Sequence, residues 1–319
     1  MTTVLDSFGR TIDYMRISIT DRCNLRCKYC MPSEGIEPIS HNNVLRYEEL
    51  LRICKIALKN GIRNFRVTGG EPLLRKGCLD FLKALKDLSG HVSITTNGIL
   101  LEPALEAMAA MEIDGINISL DSLNPNTYQH LTGKDLFPTV WNSLCKAVDM
   151  GFKVKVNCVP MKGVNDMEIA SIAQLTEKMP LDVRFIEFMP SGTEDSFKRV
   201  TSDEIIGILK EVYPDLSVDE RKRGNGPARH FASPKLLGRI GIIDAIGNCF
   251  CERCNRVRLT SDGFLKMCLF HENTLDLRTM LRSSAGDNEI EAAFRAAVLG
   301  KPERYFEESS IKNMSQVGG

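Results

Sequence analysis

The run Tyr14-Met15-Arg16-Ile17-Ser18-Ile19-Thr20 is followed almost at once by Cys23-Asn24-Leu25-Arg26-Cys27-Lys28-Tyr29-Cys30. The first is short, apolar and β-branched, and reads as a buried strand. The second places three cysteines at C-x3-C-x2-C in the loop after that strand. Three thiolates neither complete a tetrahedral zinc site nor hold all four irons of a cubane. Four-iron clusters take four cysteine ligands, so such a loop would leave one iron open to an exogenous ligand. A structural zinc site that borrows a fourth ligand from elsewhere is the competing reading of the spacing.

Outward from this loop, a βα rhythm runs from about residue 14 to 212. Candidate strands are Tyr14–Thr20, Asn64–Thr68, Val92–Thr96, Gly115–Leu120, Lys153–Val159 and Val183–Met189. Helical stretches fall near residues 46–59, 77–88, 101–111, 138–150, 166–178 and 202–212. Gly61 and Gly151 follow two of them as stops, and Thr201 with Glu204 reads as a capping box. Six such units predict an α/β fold, an incomplete (β/α)6 TIM-like barrel of parallel strands. Gly69-Gly70-Glu71-Pro72, Thr95-Thr96-Asn97-Gly98, Ser119-Leu120-Asp121 and Met189-Pro190 each close a strand. On such a frame these segments converge with the cysteine loop at one mouth, although each alone reads as an ordinary turn.

The 319 residues suffice for one large domain plus a small one, here 1–220 and 221–319. Lys+Arg and Asp+Glu balance at 41 each, which argues against a nucleic-acid or anionic-membrane partner. No secretory h-region or membrane span is evident, so a cytoplasmic location is expected. Eleven cysteines in a reducing compartment suggest metal ligation plus a few buried thiols, Cys54, Cys78, Cys145 and Cys158 among the latter.

Past residue 212 the rhythm stops. Arg221–Pro227 reads as a solvated basic linker, and a smaller region follows with a strand near Arg239–Ile243. It holds Cys251-Glu252-Arg253-Cys254 and then Cys268, or C-x2-C-x13-C, with Cys249 nearby. A zinc ribbon using Cys249 is the plainer alternative. Against it stands Asn255-Arg256-Val257-Arg258, where Arg256 and Arg258 share one face of an extended segment. Two fixed guanidinium groups suit a polyphosphate, and no Walker or dinucleotide Gly-rich loop is present to serve instead.

The first triplet, with an aromatic residue before its third cysteine, resembles the signature of the radical S-adenosylmethionine (SAM) superfamily. Asp6–Arg10, Tyr14–Asn24, Phe188–Pro190, Phe250–Leu259 and the closing Gly318-Gly319 resemble the GTP 3′,8-cyclases, in order over essentially the whole chain. That resemblance implies an enzyme that turns GTP into (8S)-3′,8-cyclo-7,8-dihydroguanosine 5′-triphosphate, the first step of molybdenum cofactor biosynthesis. It implies two [4Fe-4S] clusters, one on Cys23, Cys27 and Cys30 and one on Cys251, Cys254 and Cys268. SAM contacts would come from Tyr29, Gly70, Ser119 and Met189. GTP contacts would come from Arg16, Arg66, Thr95 (or its neighbour Thr96), Lys155, Arg256, Val257 and Arg258. Expected partners are GTP, an electron donor and, by product hand-off, cyclic pyranopterin monophosphate synthase, and a homodimer is compatible. A radical SAM peptide maturase with an auxiliary cluster and a non-catalytic zinc protein are the alternatives.

Overall fold

In a computed structural model, residues 4–32, 34–189, 197–221, 224–244, 250–271 and 274–304 are described. The strands are β1 (Tyr14–Ser18), β2 (Asn64–Thr68), β3 (His91–Thr96), β4 (Gly115–Ser119), β5 (Val154–Cys158), β6 (Met161–Lys162) and β7 (Asp182–Ile186). They continue with β8 (Lys198–Arg199), β9 (Ser217–Val218), β10 (Arg229–Ala232), β11 (Ile240–Ile243), β12 (Arg256–Leu259), β13 (Phe264–Lys266) and β14 (Thr274–Asp276). Twelve form one sheet, ordered β14-β13-β12-β1-β2-β3-β4-β5-β7-β11-β10-β9, while β6 and β8 pair separately.

The six expected strands lie side by side and parallel, from β1 to β7. Two strands of the C-terminal part extend this array in the same direction, β12 beside β1 and β11 beside β7. The outer strands then turn antiparallel. The result is an open, barrel-like sheet with helices on its outer face, as the βα rhythm predicts.

Register separates two chemistries across the sheet. One residue row runs Leu259, Ile17, Val67, Ile94, Ile116 and Val154. All six are buried in the main apolar core. Each such side chain contributes about 1.5–3 kcal/mol by leaving water. The opposite phase carries Arg258, Arg16 and Arg66 abreast on β12, β1 and β2. It also carries Thr95, Asn117, Lys155 and Asp182 abreast on β3, β4, β5 and β7. Because side chains alternate along a strand, this polar phase faces the barrel interior.

The helices follow the sequence with instructive exceptions. Tyr47–Lys59, Cys78–Leu88, Phe137–Asp149 and Ser202–Val212 lie where expected, the last with its Thr201–Glu204 capping box formed. The 101–111 stretch begins as a 3-10 turn at Glu102–Ala104, and 166–178 is broken into Ile169–Ala173 and Leu175–Lys178. Three helices not foreseen are Pro125–Thr132, Leu277–Arg282 and Asp287–Leu299. The first is announced by Asn124, whose side chain accepts from Asn126 N and Thr127 N, with Pro125 at the opening helical position. Its last turn then receives the cysteine loop: Arg26 N donates to Thr132 O at 2.9 Å and Lys28 N to Leu131 O at 3.0 Å.

In the described part of Arg221–Pro227, Arg221, Gly224 and Gly226 are exposed as a solvated connection would be, while Asn225 and Pro227 are half-buried against the barrel. Asn255 Nδ2 donates to the Asn225 carbonyl at 3.4 Å, and Asn225 also bonds Asn64. Gly226 and Pro227 line an interior cavity. Gly224 takes a positive φ of 76°, a turn conformation, so this connection is a turn that also borders the cavity.

Candidate active site

Three cavities follow one another through the sheet interior. The first lies against Cys23, Cys27 and Cys30, and also touches Tyr29, Gly70 and Ser119. The second lies against Cys251, Cys254 and Cys268 and is walled by Arg16, Arg256 and Arg258. Met189, Asn157 and Ile186 border both. The third opens at the amino ends of the strands, beside Lys155, Asp182 and Gly224. Tyr14, Arg66, Asn117 and Arg184 belong to the second and third alike.

The first cavity is shaped by strand ends packed without slack. Gly70 N donates to Thr20 O and Glu71 N to Arg22 O, each at 2.8 Å. A Cβ on Gly70 would stand 2.4 Å from the Arg22 carbonyl oxygen, so no larger residue fits beside the cysteine loop. Glu71 is fully buried and accepts from Leu73 N, Thr96 Oγ1 and Asn97 N at 3.0, 2.9 and 2.7 Å. Burial outweighs these bonds and pushes its carboxyl up to about 7. Asn97 Nδ2 donates to Asn24 at 2.7 Å and approaches Cys23 Sγ at 3.8 Å. Tyr29 donates to Asp121 Oδ2 at 2.6 Å, and Val159 N to Asp121 Oδ1 at 2.8 Å. Asp121 is also raised, to about 6, by burial. Burial pushes the Cys30 thiol up to about 12, and Cys23 and Cys27 rise for the same reason.

The second cavity has the opposite electrostatics. Burial, then the neighbouring Arg258, lowers Arg16 well below the ordinary guanidinium range. Burial brings Arg258 down to about 10, and burial followed by Arg66 brings Arg184 to about 9. Tyr14 lies among them and accepts from Arg66 Nε at 2.5 Å. Burial alone would raise its phenol, but Arg66, Arg16 and Arg256 outweigh it and bring it to about 8. Arg66 Nη1 and Arg256 Nε are buried with no hydrogen-bond partner among the described residues. Buried donors left this way are costly, and they point to an acceptor that the described residues do not supply. Cys254 is lowered despite burial, chiefly by Lys301 and Arg256.

The residues expected from sequence divide among these spaces. Tyr29, Gly70, Ser119 and Met189 all line the first cavity. Arg16, Arg66, Arg256 and Arg258 line the second, and Lys155 the third, with Asp182 at 3.4 Å. Thr95 and Thr96 border the first cavity, but the Thr96 hydroxyl is bonded to Glu71, whereas that of Thr95 accepts from Asn117 at 3.3 Å. Val257 lies on the other phase of β12, in the apolar core, and is not among the residues lining the three cavities. Cys249, Pro190 and Gly318-Gly319 lie outside the described residues. Cys54, Cys78 and Cys158 are buried and Cys145 is half-buried.

Known proteins are similar to this chain over nearly its whole length. Residues 17–176 match the Radical SAM superfamily and 181–307 match Molybdenum Cofactor Synthesis C. A GTP 3′,8-cyclase from Heliobacterium modesticaldum is 42% identical over 99% of this chain and 100% of its own. Those of Desulforamulus reducens and Geobacter sulfurreducens are 39% and 40% identical over 99% of this chain, covering 100% and 99% of theirs. The chain belongs to the GTP 3′,8-cyclase family. In fold it is similar to Streptococcus suis SuiB bound to S-adenosylmethionine, with a TM-score of 0.65 at 13% identity, over 96% of this chain and 77% of that one.

As a family member and a radical SAM enzyme, the chain uses SAM and an iron–sulfur cluster. The donor sets fit: each triplet is thiolate-only, which suits soft-metal centres, and each borders a cavity. Among the described residues, no three His, Cys, Asp or Glu side chains converge as ligands of one metal ion. Sequence reasoning missed Arg184, whose Nε donates to Asn157 Oδ1 at 2.9 Å. Its signal was a charge two residues from Asp182, on the same inward phase of β7. The residue across β11 is Gly241, where a Cβ would stand 3.0 Å from Arg184 Cγ. The neighbouring strand thus makes room for the guanidinium.

Proposed function

We propose that this chain converts GTP to (8S)-3′,8-cyclo-7,8-dihydroguanosine 5′-triphosphate and so opens molybdenum cofactor biosynthesis. The observation that carries this is the continuous series of cavities, which runs from one cysteine triplet past the other to a basic end. In this reading Cys23, Cys27 and Cys30 hold the cluster that binds SAM, and Cys251, Cys254 and Cys268 hold a second four-iron cluster. Bound there, SAM and a reduced cluster would supply hydrogen-abstracting radical chemistry.

The chain's own residues bind, orient and exclude water. Gly70, Ser119 and Met189 would border SAM, together with Tyr29, whose hydroxyl is already committed to Asp121. Arg16, Arg256 and Arg258 would orient GTP beside the second centre. Arg66, Arg184 and Lys155 would take the triphosphate toward the open end, with Thr95 and the Val257 main chain as further contacts. Each charge-assisted contact to phosphate is worth roughly 1.5–3 kcal/mol, and a few suffice without a P-loop. Residues 1–220 would form the partial barrel and 221–319 the part bearing the second centre. A one-electron donor from outside the chain and hand-off to cyclic pyranopterin monophosphate synthase complete the proposal, and a homodimer is compatible with it.

The test is anaerobic reconstitution with iron and sulfide, then incubation with SAM, reductant and GTP. The expected result is 5′-deoxyadenosine together with a cyclised nucleotide. SAM cleavage with GTP left intact at every concentration would overturn the substrate assignment.

A further inference from the structure

Two buried cations stand behind the second cysteine triplet and have no part in the contacts above. Arg10 belongs to a turn organised by Asp6, whose carboxylate accepts from Phe8 N at 3.0 Å, Arg10 N at 2.9 Å and Arg10 Nε at 2.5 Å. With the guanidinium so fixed, its other donors go to main-chain carbonyls. Nη1 reaches Cys251 O at 2.7 Å and Glu303 O at 2.8 Å, and Nη2 reaches Pro302 O at 2.7 Å. Lys301 is 3% exposed, and its Nζ donates to Arg256 O at 3.0 Å and also to Met267 O.

These acceptors are distributed to a pattern. One is the carbonyl of a triplet cysteine, one lies two residues beyond Cys254, and one immediately precedes Cys268. Every segment bearing a second-triplet thiol is therefore gripped by a buried cation from one or other end of the chain. Among the described residues, the Lys301 ammonium donates to neutral carbonyls and to no carboxylate. A buried ammonium held that way is expensive unless an anion lies near, and three thiolates around an iron–sulfur core carry net negative charge.

We propose that Arg10 and Lys301 are positioning residues of the second metal centre. They hold its three ligand-bearing segments at one spacing, and Lys301 balances the charge of the loaded site. This rests on the two-centre reading given above.

The test uses the full chain with Lys301→Met, Arg10→Gln and the charge-preserving Lys301→Arg. In the metal-free proteins, amide hydrogen exchange over residues 250–268 is expected to rise in the first two variants and not over 23–30. After reconstitution, both should lose about half their iron while still cleaving SAM without GTP, which shows that the fold and first centre are intact. Where Lys301→Met retains the second centre, its reduction potential should move negative, because a cation favours the more negative reduced cluster. Lys301→Arg should keep it near wild type. Wild-type exchange, iron and potential in both Lys301→Met and Arg10→Gln would overturn the proposal. Iron content unaffected by Cys268→Ser would instead overturn the two-centre reading and the electrostatic role with it. Exchange in the metal-free variants then decides the mechanical role alone.

Discussion

The two cysteine triplets share a donor set and differ in almost everything around it. The first is contiguous within eight residues and lies near two buried carboxylates, Asp121 and Glu71. Its thiols are all pushed up. The second is drawn from the approach to β12 and from the far side of β13, with Arg256, Lys301 and Arg10 close enough to lower Cys254. An acidic surround favours a cationic ligand such as a sulfonium, and a basic one favours a polyanion. One chain thus surrounds two cysteine triplets with opposite charge along a single interior path. The difference lies in what surrounds each triplet.

The comparison breaks most visibly if the two triplets prove interchangeable. Cys27→Ser is expected to abolish SAM cleavage. Cys268→Ser should leave that cleavage intact, uncoupled from GTP, and abolish cyclised product. Product analysis of 5′-deoxyadenosine and nucleotide separates the two, and identical phenotypes would mean the sites are not specialised.

The arginines sharpen the contrast at smaller scale. Arg258→Ala or Arg184→Ala removes one charge-assisted contact of roughly 1.5–3 kcal/mol, so GTP affinity should fall about ten- to a hundredfold. SAM affinity should be unchanged in both. Anaerobic calorimetry with each ligand reads this directly, and equal losses for the two ligands would contradict the charge division.

A further effect concerns pH in the metal-free chain. Glu71 rises from 4.5 to about 7, so between those values the folded protein binds more protons than the unfolded chain. Stability from this group is therefore greatest below pH ~4.5 and is lost as pH rises toward ~7. Glu71→Gln keeps an acceptor and removes the titration. It should flatten the denaturant midpoint across that window, and a profile as steep as wild type would place the titration elsewhere.

How much of this was legible varied by region. The six central strands and their helices were readable because each buries an apolar face, and burial imposes a period on sequence. The Gly69-Gly70 and Thr95–Gly98 segments could be located as strand ends. That a Cβ on Gly70 would collide with the Arg22 carbonyl, and that Glu71 ties two strand ends together, could not. Arg184 passed unnoticed because an inward charge is informative only once the interior is known to be a cavity. The 221–227 segment was readable as a connection, but that Gly226 and Pro227 border the interior cavity was not, because composition does not say what a turn packs against. The helix Asp287–Leu299 was overlooked although its apolar Ile290, Phe294 and Val298 recur at helical spacing.

By itself, the sequence determined the parallel βα frame, the spacing of the two cysteine triplets and the family resemblance. These are local properties, written in periodicity and in the spacing of a few residue types. Only the tertiary structure decided that β12 pairs with β1, setting Arg258 beside Arg16 and Arg66. It also decided that Arg10 and Lys301, from opposite ends of the chain, meet behind one triplet. Strand partners far apart in the chain are chosen by the closing of the sheet and the burial of its apolar phase. No window of residues encodes that choice locally, and the charge environment of each triplet follows from it.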